Sequence, residues 1–179
     1  MKVLIASSSI LATPVLDQLR KSNDHEILGI LTNPDKPTGR GQKIEANDLA
    51  LWAKESGFET YKPRNSIEIE SIVSELKPDL VVTIAYGQLI KKAALTIPTY
   101  GWINIHFSAL PKWRGAAPVQ HAIMQGDSQI GVSIFKLDEG MDTGPIFSTK
   151  RFALDNDITS DELLLELADL GVEAVVESF

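Results

Sequence analysis

The chain contains no cysteine. Disulfide staples and thiolate metal sites are therefore excluded. Histidine is scarce too. His25, His106 and His121 stand far apart in the sequence, so no metal is expected. No apolar run approaches the roughly 18 residues that a membrane-spanning helix needs. The opening MKVLIASSS has a short apolar stretch without a clear cleavage site, and it reads as a first strand rather than a signal peptide. A cytoplasmic protein with no membrane partner is the expectation. Glycine is missing where a dinucleotide site would need it: IASSS, after that strand, has none. There is no Walker loop, and no GxSxG elbow surrounds Ser108.

Basic side chains also run out. From Asp155 onward there are eight acidic residues and no basic one, and the net charge is −7. Sequence-independent nucleic-acid binding needs clustered Lys and Arg, so the chain as a whole is a poor candidate for it. One local exception is Lys36, Arg40 and Lys43, at the loop Asn33–Gln42 (NPDKPTGRGQ). On charge alone this cluster reads as a solvated loop.

What is present suits a globular α/β protein. With 179 residues, 44% of them hydrophobic, the chain can bury a substantial core as one domain, residues 1–179. Strands are expected at Met1–Ala6, Glu26–Leu31, Phe58–Tyr61 and Asp79–Ile84. The last is apolar without alternation, as a strand covered on both faces should be. Helices are expected between them. Leu11–Arg20 carries Leu11, Val15, Leu16 and Leu19 on one face, and Asn47 and Ser66 stand as N-caps of the next two. The alternation argues for a doubly wound, Rossmann-like sheet, parallel in its first half. Later strands at Gly101–Phe107, Gly131–Leu137 and Pro145–Phe152 have fewer helices between them, so the second half is expected to be mixed. The final helix, from Thr159 or Ser160, is apolar on more than one stripe, with Leu163, Leu164, Leu165, Leu167, Leu170, Val172, Val175, Val176 and Phe179. Either it packs between two layers or further chain covers it; the reading adopted is that a C-terminal segment is absent.

Two stretches carry chemistry. Ile103–Gly115 (INIHFSALPKWRG) begins as an alternating strand that puts Asn104 and His106 on one face at its carboxyl end, where ligands of open α/β sheets gather. Leu137–Pro145 (LDEGMDTGP) places Asp138, Glu139 and Asp142 among glycines between two strands. An amide and a protonated imidazole can donate to a developing oxyanion, and a carboxylate can orient the imidazole or hold a water that moves protons. Spacing alone leaves a structural reading open for each: a hydrogen-bonded strand-end His, a buried amide, a turn-forming Asp.

HFSALPKWRGAAPVQHAI, followed by GVSIFKLDEGMDTGPI, resembles the formyltransferases that use 10-formyltetrahydrofolate. The resemblance covers nearly the whole chain and implies the formyltransferase fold. It implies that Asn104, His106 and Asp142 are catalytic. It implies that the folate lies against the backbone of Gln88, Leu89 and Ile90 and the loop formed by Leu137, Asp138, Glu139, Gly140, Met141 and Asp142. TNPDKPTGRGQK and AYGQLI are similar to members whose acceptor is initiator methionyl-tRNA. They imply that Lys36, Arg40 and Lys43, with Ser108 and Arg114, meet the acceptor end, and that a separate C-terminal tRNA-binding domain is absent here. A monomer is expected. Two departures stand out: Ser7-Ser8-Ser9 replaces the usual Gly-Thr-Pro, and Phe107 and Ala109 replace common Pro and Leu. A cis Leu110–Pro111 bond is expected from relatives. Formyl transfer to an amino sugar, and binding or hydrolysis of the formylfolate, are alternative readings.

Overall fold

The computed structural model describes residues 1–155 and 157–178. Phe179, counted above in the last helix, lies outside them. The chain divides into two compact units, Met1–Trp102 and Ile103–Phe179.

In the first unit, strands β1 (Lys2–Ser7) and β2 (Glu26–Leu31) flank helix α1 (Thr13–Lys21). Val15, Leu16 and Leu19 of α1 are buried as the periodicity required, but the turn at Ile10–Ala12 is 3₁₀ rather than α. The segment read as a loop is instead a small antiparallel hairpin, β3 (Lys36–Thr38) and β4 (Lys43–Glu45). Its strands pair with each other in a separate two-stranded sheet and are exposed at every position, so no alternation of burial marked them.

Helix α2 (Asp48–Glu55) is capped as expected, the Asn47 Oδ1 accepting from the Ala50 N–H at 3.0 Å. β5 (Thr60–Tyr61) is short. α3 (Ser66–Leu76) is capped by Asn65 rather than Ser66: the amide oxygen accepts from both Ile67 and Glu68. β6 (Leu80–Ile84) is buried at every position. α4 (Lys92–Leu95) is a single turn. The strands run in parallel in the order β5-β2-β1-β6. Val3, Leu4, Ile5 and Ala6 are wholly buried, and full burial of each large aliphatic side chain contributes roughly 1.5–3 kcal/mol.

In the second unit, β7 (Trp102–His106), β8 (Gln129–Lys136) and β9 (Ile146–Ala153) are antiparallel, with α5 (Pro118–Met124) between β7 and β8 and α6 (Ser160–Val176) last. The fold class is the expected one: α/β, parallel first and antiparallel later. α6 opens with a capping box, Thr159 and Glu162 satisfying each other's backbone N–H groups. Gly171 lets α6 lie close on the sheet; a Cβ there would stand 3.1 Å from Ile105 Cγ2 and 3.7 Å from Val132 Cγ1. The helix still shows excess apolar surface, with Leu165 and Val176 more than half exposed. Among the described residues no helix is long and apolar enough to cross a membrane.

Candidate active site

Ile105 faces α6, so strand alternation turns Asn104 and His106 to the other face of β7. Opposite them on β8 stand Phe135 and Ser133. Phe135 meets the imidazole edge-on, ring centroids 6.3 Å apart. His106 is only 6% exposed, and Asn104 is half-buried.

The imidazole is fixed by one strong contact. Its Nε2 lies 2.8 Å from the backbone oxygen of Trp113. A carbonyl only accepts, so Nε2 carries a proton in the neutral and the charged ring alike. Nδ1 is then the nitrogen left for a reactant. It lies 3.7 Å from Asp142 Oδ2: beyond hydrogen-bond length, yet close enough for an ion pair when the ring is charged. Both ring nitrogens therefore face acceptors, and only the imidazolium can donate to both. Asp142 is held in turn, the same Oδ2 accepting from the Gly115 N–H at 2.7 Å, with its own backbone in the left-handed region at φ +53.

The turn after β7 is built to carry this contact. Ser133, buried in β8, donates its hydroxyl to the Ser108 carbonyl at 2.8 Å and accepts from the Leu110 N–H at 3.0 Å. The Leu110–Pro111 peptide is cis. Ser108, expected to meet the acceptor, is instead fully buried and gives its hydroxyl to the Lys112 carbonyl. Its role is to close the turn, because no part of it reaches the surface. Arg114 is exposed.

The loop 137–145 is shaped from within. Asp138 Oδ1 accepts from the Gly140 N–H at 2.9 Å and the Thr143 hydroxyl at 2.8 Å. Oδ1 of that carboxylate thus holds the loop's own turn together. Met141 is largely exposed.

In the first unit, Gln88 Nε2 donates to Asn33 Oδ1 at 2.8 Å and to the Pro63 carbonyl at 3.0 Å. The side chain thus braces the segment after β6, in which Ala85 and Gly87 both have positive φ. Leu89 is exposed and Ile90 half-buried. Asn33 is a hub. It also donates its backbone N–H to Ser8 Oγ at 2.9 Å and its side-chain amide to the Tyr86 carbonyl at 3.3 Å. Ser8, the β2 end and the β6 end are thereby tied together. Burial pushes the Tyr86 phenol above its usual range. Lys36, Arg40 and Lys43 are exposed on the β3–β4 hairpin. Lys43 lies 3.9 Å from Glu45, a distance at which an exposed pair contributes little.

Sequence reasoning thus reached Asn104, His106 and Asp142, and the second and third come together. It missed the Trp113 carbonyl, the Gly115 N–H and Ser133. Only Ser133 left a trace, as a lone hydroxyl inside the apolar run IGVSIF. Among the described residues no three His, Asp or Glu side chains gather as a metal-binding group. What the strand end offers is one imidazole whose Nδ1 faces a carboxylate, and an amide on the same face of the strand. Such a set can donate hydrogen bonds to a developing oxyanion and relay a proton.

The profile described as "Formyl transferase" matches residues 1–179. The chain is 43% identical over 178 residues to the methionyl-tRNA formyltransferase of Salinispora tropica, covering 98% of this chain and 58% of that protein. It is 44% identical over 173 residues to the methionyl-tRNA formyltransferase of Streptomyces avermitilis, covering 96% and 56%. The chain therefore spans somewhat over half the length of these curated relatives. Among solved structures, phosphoribosylglycinamide formyltransferase from Bacillus halodurans superposes with a TM-score of 0.81 at 22% identity, over 99% of this chain and 93% of that one. At that identity the likeness speaks for the fold alone.

Proposed function

The chain belongs to the formyl transferase family, and from that membership we propose that it moves the formyl group of 10-formyltetrahydrofolate to the α-amine of initiator methionyl-tRNA. The relatives that support this acceptor are the methionyl-tRNA formyltransferases at 43–44% identity. The observation that carries the chemistry is His106 Nδ1 facing Asp142 Oδ2 at 3.7 Å while Trp113 holds Nε2.

The neutral α-amine attacks the formyl carbon. An N–C bond forms, and the carbonyl oxygen becomes an oxyanion. The Asn104 amide and the Nδ1–H of the charged His106 donate to that oxyanion, while Nε2–H stays on Trp113. Asp142 lies against the positive ring and accepts the amine proton through a water, passing it to N10 as the C–N10 bond breaks. Gly115 keeps that carboxylate in place. No covalent enzyme intermediate is needed. The backbone of Gln88, Leu89 and Ile90 in the first unit is by itself one folate-contacting segment, and that of residues 137–141 in the second is by itself another. Lys36, Arg40 and Lys43 on the hairpin meet tRNA phosphates, to which exposed guanidinium and ammonium groups are suited, and exposed Arg114 is by itself suited to the same chemistry.

The test is transfer of labelled formyl from 10-formyltetrahydrofolate to methionyl-tRNA, compared with Asn104→Ala. Loss of one oxyanion donor should lower kcat by about 10²–10³ while folate affinity stays within a few-fold. Full turnover by Asn104→Ala would remove the amide from the mechanism. Formylation of an amino sugar nucleotide in place of methionyl-tRNA would overturn the acceptor assignment.

A further inference from the structure

Trp113 holds the catalytic imidazole by its backbone, and its own backbone is unusual: φ is +57, in the left-handed region that bulky residues rarely adopt. Something outside the turn must hold it there. Its side chain shows what. The indole Nε1–H donates to Asp127 Oδ2 at 2.7 Å. The indole also stacks on His121, ring centroids 5.5 Å apart and planes within 12°. Lys112 Nζ donates to the other carboxylate oxygen of Asp127 at 2.7 Å. Asp127 is anchored just after α5, its backbone N–H bonded to the Ala122 carbonyl, and its side chain is only 12% exposed. Lys112 and then Trp113, as hydrogen-bond donors, hold the Asp127 carboxyl below its usual range, so it stands there as the carboxylate.

We propose that Asp127 is a positioning residue for catalysis: it clamps the Trp113 indole so that the Trp113 carbonyl receives His106 Nε2–H and leaves Nδ1 to the reacting oxygen. The path is short and continuous, from Asp127 Oδ2 to the indole N–H, through one residue, and from its carbonyl to the imidazole. Without the clamp, the left-handed backbone at Trp113 relaxes towards ordinary φ and swings its carbonyl off Nε2. The ring then exchanges between tautomers, and Nδ1 is no longer reserved for donation. The inference rests on the reading of His106 as a catalytic residue, but its first readout does not.

The whole chain, labelled with ¹⁵N-histidine, is studied by long-range proton–nitrogen spectra at a pH where the rings are neutral, with His106 assigned by its loss in His106→Asn. The original chain should show a single Nε2–H tautomer at His106. Asp127→Ala, which removes the acceptor, and Trp113→Phe, which removes the donor but keeps the carbonyl, should both show mixed tautomers. Their kcat should fall at least tenfold with KM for the formylfolate within about twofold. Asp127→Asn keeps an oxygen for the indole and should recover the single tautomer and most of the rate. A single Nε2–H tautomer in both Asp127→Ala and Trp113→Phe, with kcat within threefold, overturns the proposal; either variant suffices if the other does not fold. Full activity in His106→Asn would instead sink the catalytic reading, while the tautomer shift would still establish the clamp.

Discussion

Replacing Gly144 with alanine tests how tightly the carboxylate loop is fixed. Gly144 lies two residues after Asp142, where the loop enters β9. A Cβ at this position would fall 1.8 Å from the Lys136 backbone oxygen and 2.9 Å from the Lys136 carbonyl carbon. Side-chain carbons essentially never approach closer than 3.0 Å, so the segment must give by at least about 1.2 Å. The obstacle is backbone in the ladder, where the Lys136 N–H donates to the Pro145 carbonyl at 2.9 Å, and a rotamer change cannot relieve it. The displacement therefore passes to the loop and to Asp142, whose 2.7 Å bond to Gly115 and 3.7 Å approach to His106 both depend on it. A misplacement of about 1 Å at a reacting centre costs on the order of 10² in rate. Single-turnover formyl transfer should thus slow about a hundredfold in Gly144→Ala. Thermal melting run in parallel should show a chain that is destabilised yet folded. A variant that melts as the original does and turns over within threefold of it would refute the reasoning. It would mean either that the loop has slack or that Asp142 need not be held so closely.

Two further outcomes are expected. Arg40→Ala should weaken use of methionyl-tRNA and shallow its salt dependence, since each lost phosphate contact reduces counterion release, while a small methionyl ester is used as before; equal losses on both acceptors would count against a tRNA contact. Glu162, hydrogen-bonded to the Thr159 hydroxyl and backbone N–H, has its carboxyl held by those bonds below its ordinary value of 4.5. Its contribution to stability is present above about pH 4.5 and is lost as pH falls through the depressed value, so Glu162→Gln should flatten the acid limb of a melting-temperature profile; an unchanged limb would show the capping box to be inert.

The sequence by itself determined whatever depends on local backbone geometry. Period-two alternation from Ile103 to His106 put Asn104 and His106 on one face, because successive residues of any strand point oppositely. The mostly apolar run at 80–84, without alternation, marked a covered strand, and Asn47 marked a helix start, because each signal acts within a few residues. Local signals also misled where two candidates were adjacent. Asn65 rather than Ser66 caps α3, and the hairpin at 36–45 was invisible because exposed strands pairing only with each other leave no burial pattern. The motifs after β7 and β8 named the candidate reacting side chains through resemblance, but they could not say which imidazole nitrogen faces the carboxylate. Only the tertiary structure decided that. Nδ1 is left available because a carbonyl seven residues away occupies Nε2, and Asp142 lies beside it because Gly115 receives the carboxylate. Contacts such as these join segments that no short-range periodicity links, so they become definite only when the packed strands and turns fix the distances between them.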